Sequence, residues 1–275
     1  MRVCASYHIP PTMWTQVDEL RFSTQALAQA IPYMEEHRDK KVIIEILDLN
    51  DCGIAEEKLK TILSENENMY LDCYSIEDFM KLSIACPSHC MYHYPVNTYN
   101  MLYFLLQYPI SDITIGEPLN FDWDRVIAAV RQYGRTVKIR VMPAIGRPNL
   151  FNNIANVDNG IRHFWLLPQH MSQFEDYIDV VDLLDDNTER ETTLVRVFLK
   201  GSYTRELSYY LNNCESEMLC DLITNEFIKR RLNCGQRCMQ TADSSYCHYC
   251  QSEEALYHRL RERQASDNPI KPQSI

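Results

Sequence analysis

The chain has 275 residues, 45% hydrophobic and 24% charged, with 27 Lys and Arg against 38 Asp and Glu for a formal net charge of −11. This composition excludes the disordered, collagen-like and fibrous classes. The negative balance excludes attachment to nucleic acid or anionic lipid by overall charge, so any such contact needs a local basic patch.

Strand-like segments alternate with amphipathic helical ones from the first residues to about 185. In chain order, β-type runs fall at 2–9, 41–49, 69–74, 90–94, 112–116, 137–142, 163–167 and 180–184. Helical periodicity fills 55–64, 76–85, 98–108, 123–133 and 171–177, with Ser75, Asn97, Asp122 and Ser172 placed as N-caps. From residue 41 onward, strand starts are separated by 17 to 28 residues, the length of one strand-plus-helix unit. Eight such units predict an α/β fold of the (β/α)8, TIM-like type over residues 1–185, with an open doubly wound sheet as the alternative. The rhythm breaks after the sixth strand, where 143–153 (PAIGRPNLFNN) predicts a loop and a candidate lid.

Asp185-Asp186-Asn187-Thr188-Glu189 forms a polar break, and a helical extension over 186–264 is expected to follow. Residues 265–275 lack apolar periodicity and are expected to be a flexible tail. No apolar run reaches membrane-spanning length, and the first residues carry no signal-peptide core. Eleven scattered cysteines, an odd number, point to a reducing compartment. A cytoplasmic protein with no membrane association is therefore expected.

Within the extension, Cys234, Cys238, Cys247 and Cys250 are spaced C-x3-C-x8-C-x2-C. Two short thiol pairs that bend round one ion supply a closed tetrahedral S4 set, the usual arrangement of structural zinc. The same thiolates suit a [4Fe–4S] cluster, which spacing alone does not separate from zinc. Cys86 and Cys90, close together around Pro87-Ser88-His89, are better explained as small core residues.

Residues 92–98 (YHYPVNT), 111–119 (SDITIGEPL) and 138–141 (KIRV), taken with the terminal thiols, resemble the peptidase U32-like superfamily. The resemblance implies a barrel-like α/β domain and cysteine-held iron–sulfur centres. It connects the chain to tRNA, rRNA and quinone hydroxylation factors, to peptidase-like members and to phage-encoded relatives. The glutamate-histidine-glycine and cysteine signature of the cellular enzymes is absent here, and Pro168-Gln169-His170 stands where an acidic pair is expected.

On a barrel, the groups in or just after the strands converge on a ligand: His8, Asp48, Asn50, Asp72, Tyr74, His93, Glu117, Arg140, Gln169, His170 and Asp182. Among these His93 and Glu117 are read as an acid–base pair, and Arg140 as a fork of donors for an anionic group. Each also has a purely structural reading, as core histidine, loop carboxylate and barrel ion pair.

Two functions follow. One is a barrel protein with a thiolate-bound metal that takes a small molecule or modified nucleic acid at the strand-end mouth. The other is a non-catalytic binding or assembly protein that uses the barrel as scaffold for a protein partner. Lys229, Arg230, Arg231, Arg237, Arg259, Arg261 and Arg263 supply a C-terminal basic patch for nucleic acid. The metal is directly testable. Anaerobically purified protein is expected to be colourless with about one zinc per chain, lost in Cys234→Ser. A brown protein containing iron selects the cluster, and protein with neither metal overturns the thiolate site.

Overall fold

The computed structural model describes residues 1–50, 56–116, 119, 123–133, 136–142, 168–184 and 187–201. All of them belong to one of the two units into which the chain divides, Met1–Gly146 with Leu166–Tyr203. The other unit, Arg147–Trp165 with Thr204–Ile275, lies outside them. So do the expected strand at 163–167, the lid candidate at 143–153 and all four cysteines of the metal knuckle.

Eight parallel strands close into a ring in chain order: β1 (Arg2–Ser6), β2 (Glu19–Ser23), β3 (Lys41–Ile46), β4 (Met69–Cys73), β5 (Cys90–Val96), β6 (Ile110–Ile115), β7 (Lys138–Val141) and β8 (Val180–Asp182). Closure is made by β1 on β8, with Cys4 opposite Asp182. The connections carry α1 (Leu27–Glu36), α2 (Glu56–Glu65), α3 (Ile76–Ala85), α4 (Tyr99–Leu105) and α5 (Trp123–Gln132), and α6 (Thr188–Lys200) follows β8. This is the (β/α)8 architecture, and among the described residues no helix is long and apolar enough to cross a membrane.

The ring differs from the sequence expectation in its membership. β2, with the sequence ELRFS, was not foreseen, and β7 pairs directly with β8 through Arg140 opposite Val180, so the eight strands close without 163–167. The reason lies in the alternation of β2. Leu20 and Phe22 are fully buried, and so are Glu19 and Arg21, whose side chains make ion pairs inside the ring. A strand whose charges are inside looks, in sequence, like a polar connection.

Several local features follow from ordinary helix and strand chemistry. Ser75 caps α3 by accepting from the backbone N–H groups of Glu77 and Asp78, as its sequence position predicts. For α4 the cap is Thr98, which accepts from Met101, rather than Asn97. Asn97 instead lies against Gly116 beyond the ends of β5 and β6, where a Cβ on Gly116 would collide with its side-chain amide. The polar break near 185 does not end the unit. Asn187 caps α6, and Glu191 on that helix accepts from the backbone and hydroxyl of Ser6 at the end of β1.

The barrel interior is unusual in what fills it. Such interiors are commonly packed with branched aliphatic residues. Here an apolar cluster of Cys4, Ile43, Met91 and Val180, with Tyr70 against it, shares the space with an ion-pair network. Arg140, wholly buried, donates from Nε to Asp182 at 3.0 Å, from Nη2 to Asp182 at 2.5 Å, and from Nη1 to Glu19 at 2.5 Å and Asp112 at 3.0 Å. Lys41 donates to Asp112 at 2.5 Å and lies 3.9 Å over the Tyr70 ring. Arg21 bridges Asp182, at 3.3 Å, and Asp72.

Burial alone would raise the Asp112 and Asp182 carboxyls. Lys41 and Arg140 overcome this for Asp112, and Arg140 and Arg21 for Asp182, so both are held well below the usual carboxylate range. Burial pulls Arg140 down, and Asp182 and Glu19 more than reverse it. For Lys41 burial outweighs Asp112, leaving its pKa below the ordinary value.

Two outcomes are expected from this network. Asp182→Asn strands parts of two buried guanidinium groups and should destabilise the fold by about 3–5 kcal/mol in urea unfolding. Because the folded pKa values of Asp112 and Asp182 are depressed, the stability they contribute is present above the unfolded value of about 3.9 and is lost as pH falls below it. Unfolding free energies measured from pH 7 down to pH 2 should drop steeply only in the acid range, and a flat profile there contradicts the assignment.

Candidate functional site

At the C-terminal ends of the strands, where ligand groups converge in barrels of this kind, three neighbouring strands bring together Glu45, Asp72, Tyr74 and His93. Their register explains it. Glu45 on β3 is opposite Asp72 on β4, and Asp72 is opposite Met91 on β5. His93 lies two residues beyond Met91, on the same face. Tyr74 follows β4 directly, with its backbone N–H on the carbonyl of Ile46 at 3.0 Å.

The four side chains are mutually fixed. Nδ1 of His93 lies 2.8 Å from Oδ2 of Asp72, so with the carboxylate as acceptor Nδ1 carries a proton. Arg21 donates to that same Asp72 oxygen. The Tyr74 hydroxyl donates to Oε1 of Glu45 at 3.2 Å, and its ring stacks on His93 at 3.6 Å between centroids and 14° between planes. Asp72 is fully buried and His93 nearly so, whereas Glu45 is half-buried. One ligand atom from each of Glu45, Asp72 and His93 lies within 4.8 Å of the others, a spacing compatible with a shared cation.

Beside this group the wall is aromatic and apolar. Tyr94, half-exposed, meets Tyr74 edge-on at 6.0 Å and His93 edge-on at 5.3 Å. Leu47, 64% exposed, follows the end of β3. Hydroxyl, imidazole and carboxylate next to exposed rings form a site that can hydrogen-bond and stack at once. The nearby thiols are unsuited to nucleophilic work. Burial first, then Asp182, pushes Cys4 well up, while a hydrogen bond between the Cys73 and Cys90 thiols, and then burial, do the same for Cys73.

Of the groups expected at the mouth, Asp72, Tyr74 and His93 come together. His93 is buried while its neighbour Tyr94 is exposed, as strand alternation requires. Its partner among the described residues is Asp72, since Glu117 lies outside them, as do the side chains of Gln169 and His170. Arg140 does not fit the role of anion holder. Its Nε and both Nη atoms are taken by Asp182, Glu19 and Asp112, and it is wholly buried. Asp182 belongs to the same network, and Asp48 caps the backbone of Asn50 at the surface.

Glu45 was missed. The available signal was a lone carboxylate inside KVIIEI, in step with Lys41 and Ile43 and out of step with the apolar Val42, Ile44 and Ile46. Neither a protein-family model nor a curated protein matches this chain.

The four groups differ in what they hold up. Asp72→Asn weakens the hold on the buried Arg21 and should cost about 3–5 kcal/mol. Tyr74→Phe and Glu45→Gln act on half-buried, hydrogen-bonded groups and should each cost about 1 kcal/mol. Thermal denaturation of the three variants checks the order, and equal losses would contradict this division between support and site.

Proposed function

We propose that this chain is a barrel enzyme of the general acid–base type, with His93 as the group that moves a proton and Asp72 as the carboxylate that fixes its tautomer. Its ligand is a small polar molecule with a planar portion, of which a modified nucleobase is one kind. The single observation that carries this is the Asp72–His93 hydrogen bond at the strand ends, with Glu45 and the Tyr74 hydroxyl beside it. A buried imidazole aligned by a carboxylate is an arrangement general acid–base catalysis uses. The half-exposed Tyr94 ring supports a planar ligand, because stacking is tolerant of which heterocycle is stacked.

Membership of the U32-like superfamily is part of the same proposal, supported by the residue resemblance. So is a metal on Cys234, Cys238, Cys247 and Cys250, zinc or alternatively a [4Fe–4S] cluster, supported by their spacing. In this reading the thiolate metal orders the loop that carries the four cysteines.

The test uses ligand-observed NMR on the full chain with a panel of plain and modified nucleosides and small hydroxy and keto acids. Binding or turnover of a panel member is expected in the native protein and in Arg2→Gln, a change at the opposite, N-terminal rim. His93→Gln should slow turnover by about 100-fold or more. A ligand bound at the mouth but never chemically altered selects the non-catalytic scaffold. Binding and turnover indifferent to His93→Gln overturn the proposal.

A further inference from the structure

We propose that Glu45, Asp72 and His93 form a binding site for one divalent cation of the class that accepts imidazole together with carboxylate, such as Mn2+, Fe2+ or Zn2+. This inference rests on the strand-end mouth being the functional site, and it changes the role of one group there: while the cation is bound His93 is its ligand and does not itself move a proton.

Three observations carry it independently of one another. The first is convergence. One carboxylate oxygen from Glu45, one from Asp72 and one ring nitrogen of His93 lie within 4.8 Å of one another, slightly wider than the roughly 4.4 Å that ligands at about 2.0–2.2 Å from one ion can span, so a small side-chain rotation closes them on it. They come from three adjacent strands in fixed register, so the convergence is set by rigid elements rather than by loops.

The second is an unused lone pair. Arg21 and His93 both address Oδ2 of Asp72, whereas Oδ1 of this fully buried carboxylate has no hydrogen-bond partner. An acceptor removed from water and left unpaired is costly, and such orphans call for an unseen water or ion. Glu19 Oε1 and Arg21 Nε, deeper in the barrel, are likewise unpartnered, and a buried water is the natural occupant there. At Asp72 the difference is that a second carboxylate and an imidazole stand within reach.

The third is charge. Along the barrel the carboxylates of Glu19, Glu45, Asp72, Asp112 and Asp182 stand against the cations of Arg21, Lys41 and Arg140. In this set of described residues carboxylates outnumber cations. A divalent cation at the upper end of this column offsets part of that excess, and among the described residues the cation paired with Asp72 there is Arg21, which is shared with Asp182.

The surroundings suit a metal as well. Tyr74 supports Glu45 through its hydroxyl and His93 through its ring, the outer contacts that hold metal ligands in orientation. Three protein ligands leave coordination positions open to water or substrate. An imidazole in the set favours the transition ions over Mg2+ and Ca2+, which take oxygen ligands almost exclusively.

Mn2+ is the probe that separates this site from the cysteine cluster, because thiolates select softer ions. Chelator-dialysed full-length protein is titrated with Mn2+, and free aquo-Mn2+ is followed by electron paramagnetic resonance, with circular dichroism recorded on every variant. The native protein should take up one Mn2+ per chain, competed by Zn2+. Glu45→Gln and His93→Gln should each weaken uptake by at least about tenfold, and Tyr74→Phe, which keeps the ring but removes the hydroxyl, by about tenfold. Cys234→Ser should leave Mn2+ uptake unchanged.

No uptake up to millimolar Mn2+ overturns the proposal, as does uptake that Glu45→Gln and Tyr74→Phe leave intact. If Glu45→Gln does not fold, Tyr74→Phe alone decides. Failure here with His93-dependent binding in the nucleoside and organic-acid panel removes the cation and keeps the acid–base reading, whereas failure of both removes the mouth as a functional site.

Discussion

The Arg140 guanidinium is the group on which the rest of the barrel depends. It is wholly buried on β7, and through Glu19, Asp112 and Asp182 it reaches β2, β6 and β8. An unpaired charge at that depth would be prohibitive, so the three carboxylates must be in place whenever the ring is closed. The converse also holds. Asp112 and Asp182 stay ionised because cations face them, and their depressed pKa values express the same coupling. Hydrophobic burial drives strands against helices but is indifferent to small slips. A slip of β7 by one residue would turn Arg140 toward the helices and Ile139 inward, leaving Asp112 to Lys41 alone, Asp182 to Arg21 alone, and Glu19 without the guanidinium. Each apolar neighbour tolerates such a slip; the guanidinium does not.

The mouth inherits its geometry from this network. Arg140 fixes Asp182, Asp182 shares Arg21, Arg21 holds Asp72, and Asp72 aligns His93. These contacts run from β7 to β8, across to β2, and on to β4 and β5, so the imidazole at the strand ends is oriented by a residue deep inside the ring. Functional groups on strands held by locked partners are more precisely placed than groups on loops. That explains how Arg140 matters to the site without touching anything that enters it.

Legibility in the sequence followed the direction in which polar groups point. Strands β3, β4, β6 and β7 show apolar runs long enough to be recognised, and the repeat length between them announces parallel strands with helical crossovers. The hydroxyl of Ser75 reveals the start of α3 because capping is local chemistry. β2 was hidden because Glu19 and Arg21 face inward, inverting the usual rule that charges mark the solvent side. Glu45 was hidden for the same reason, since a single carboxylate among isoleucines resembles an exposed position on a half-buried strand. Arg140 was recognised as a barrel residue, but only distances decide whether its donors are free or spent. The Asp72–His93 pair is separated by 21 residues, and nothing in the spacing says that they touch. Parallel register brings them together, and register is set by the closed ring.

Polar groups inside a barrel do two different jobs here, and exposure at the rim tells them apart. Around Arg140 its own donor atoms are all taken, though one oxygen of Glu19 is left over, and that set is wholly buried. Around His93 the same chemistry is left partly open: one oxygen of Asp72 has no partner, Glu45 is half-buried, and the Tyr94 ring stands half-exposed beside His93. A fold gains nothing in stability from leaving a buried carboxylate oxygen unsatisfied at the strand ends, since filling that place with an apolar side chain would pack better. Polar groups kept incomplete, on rigid strands, at the rim where barrels bind their ligands, are what distinguishes a site from a scaffold.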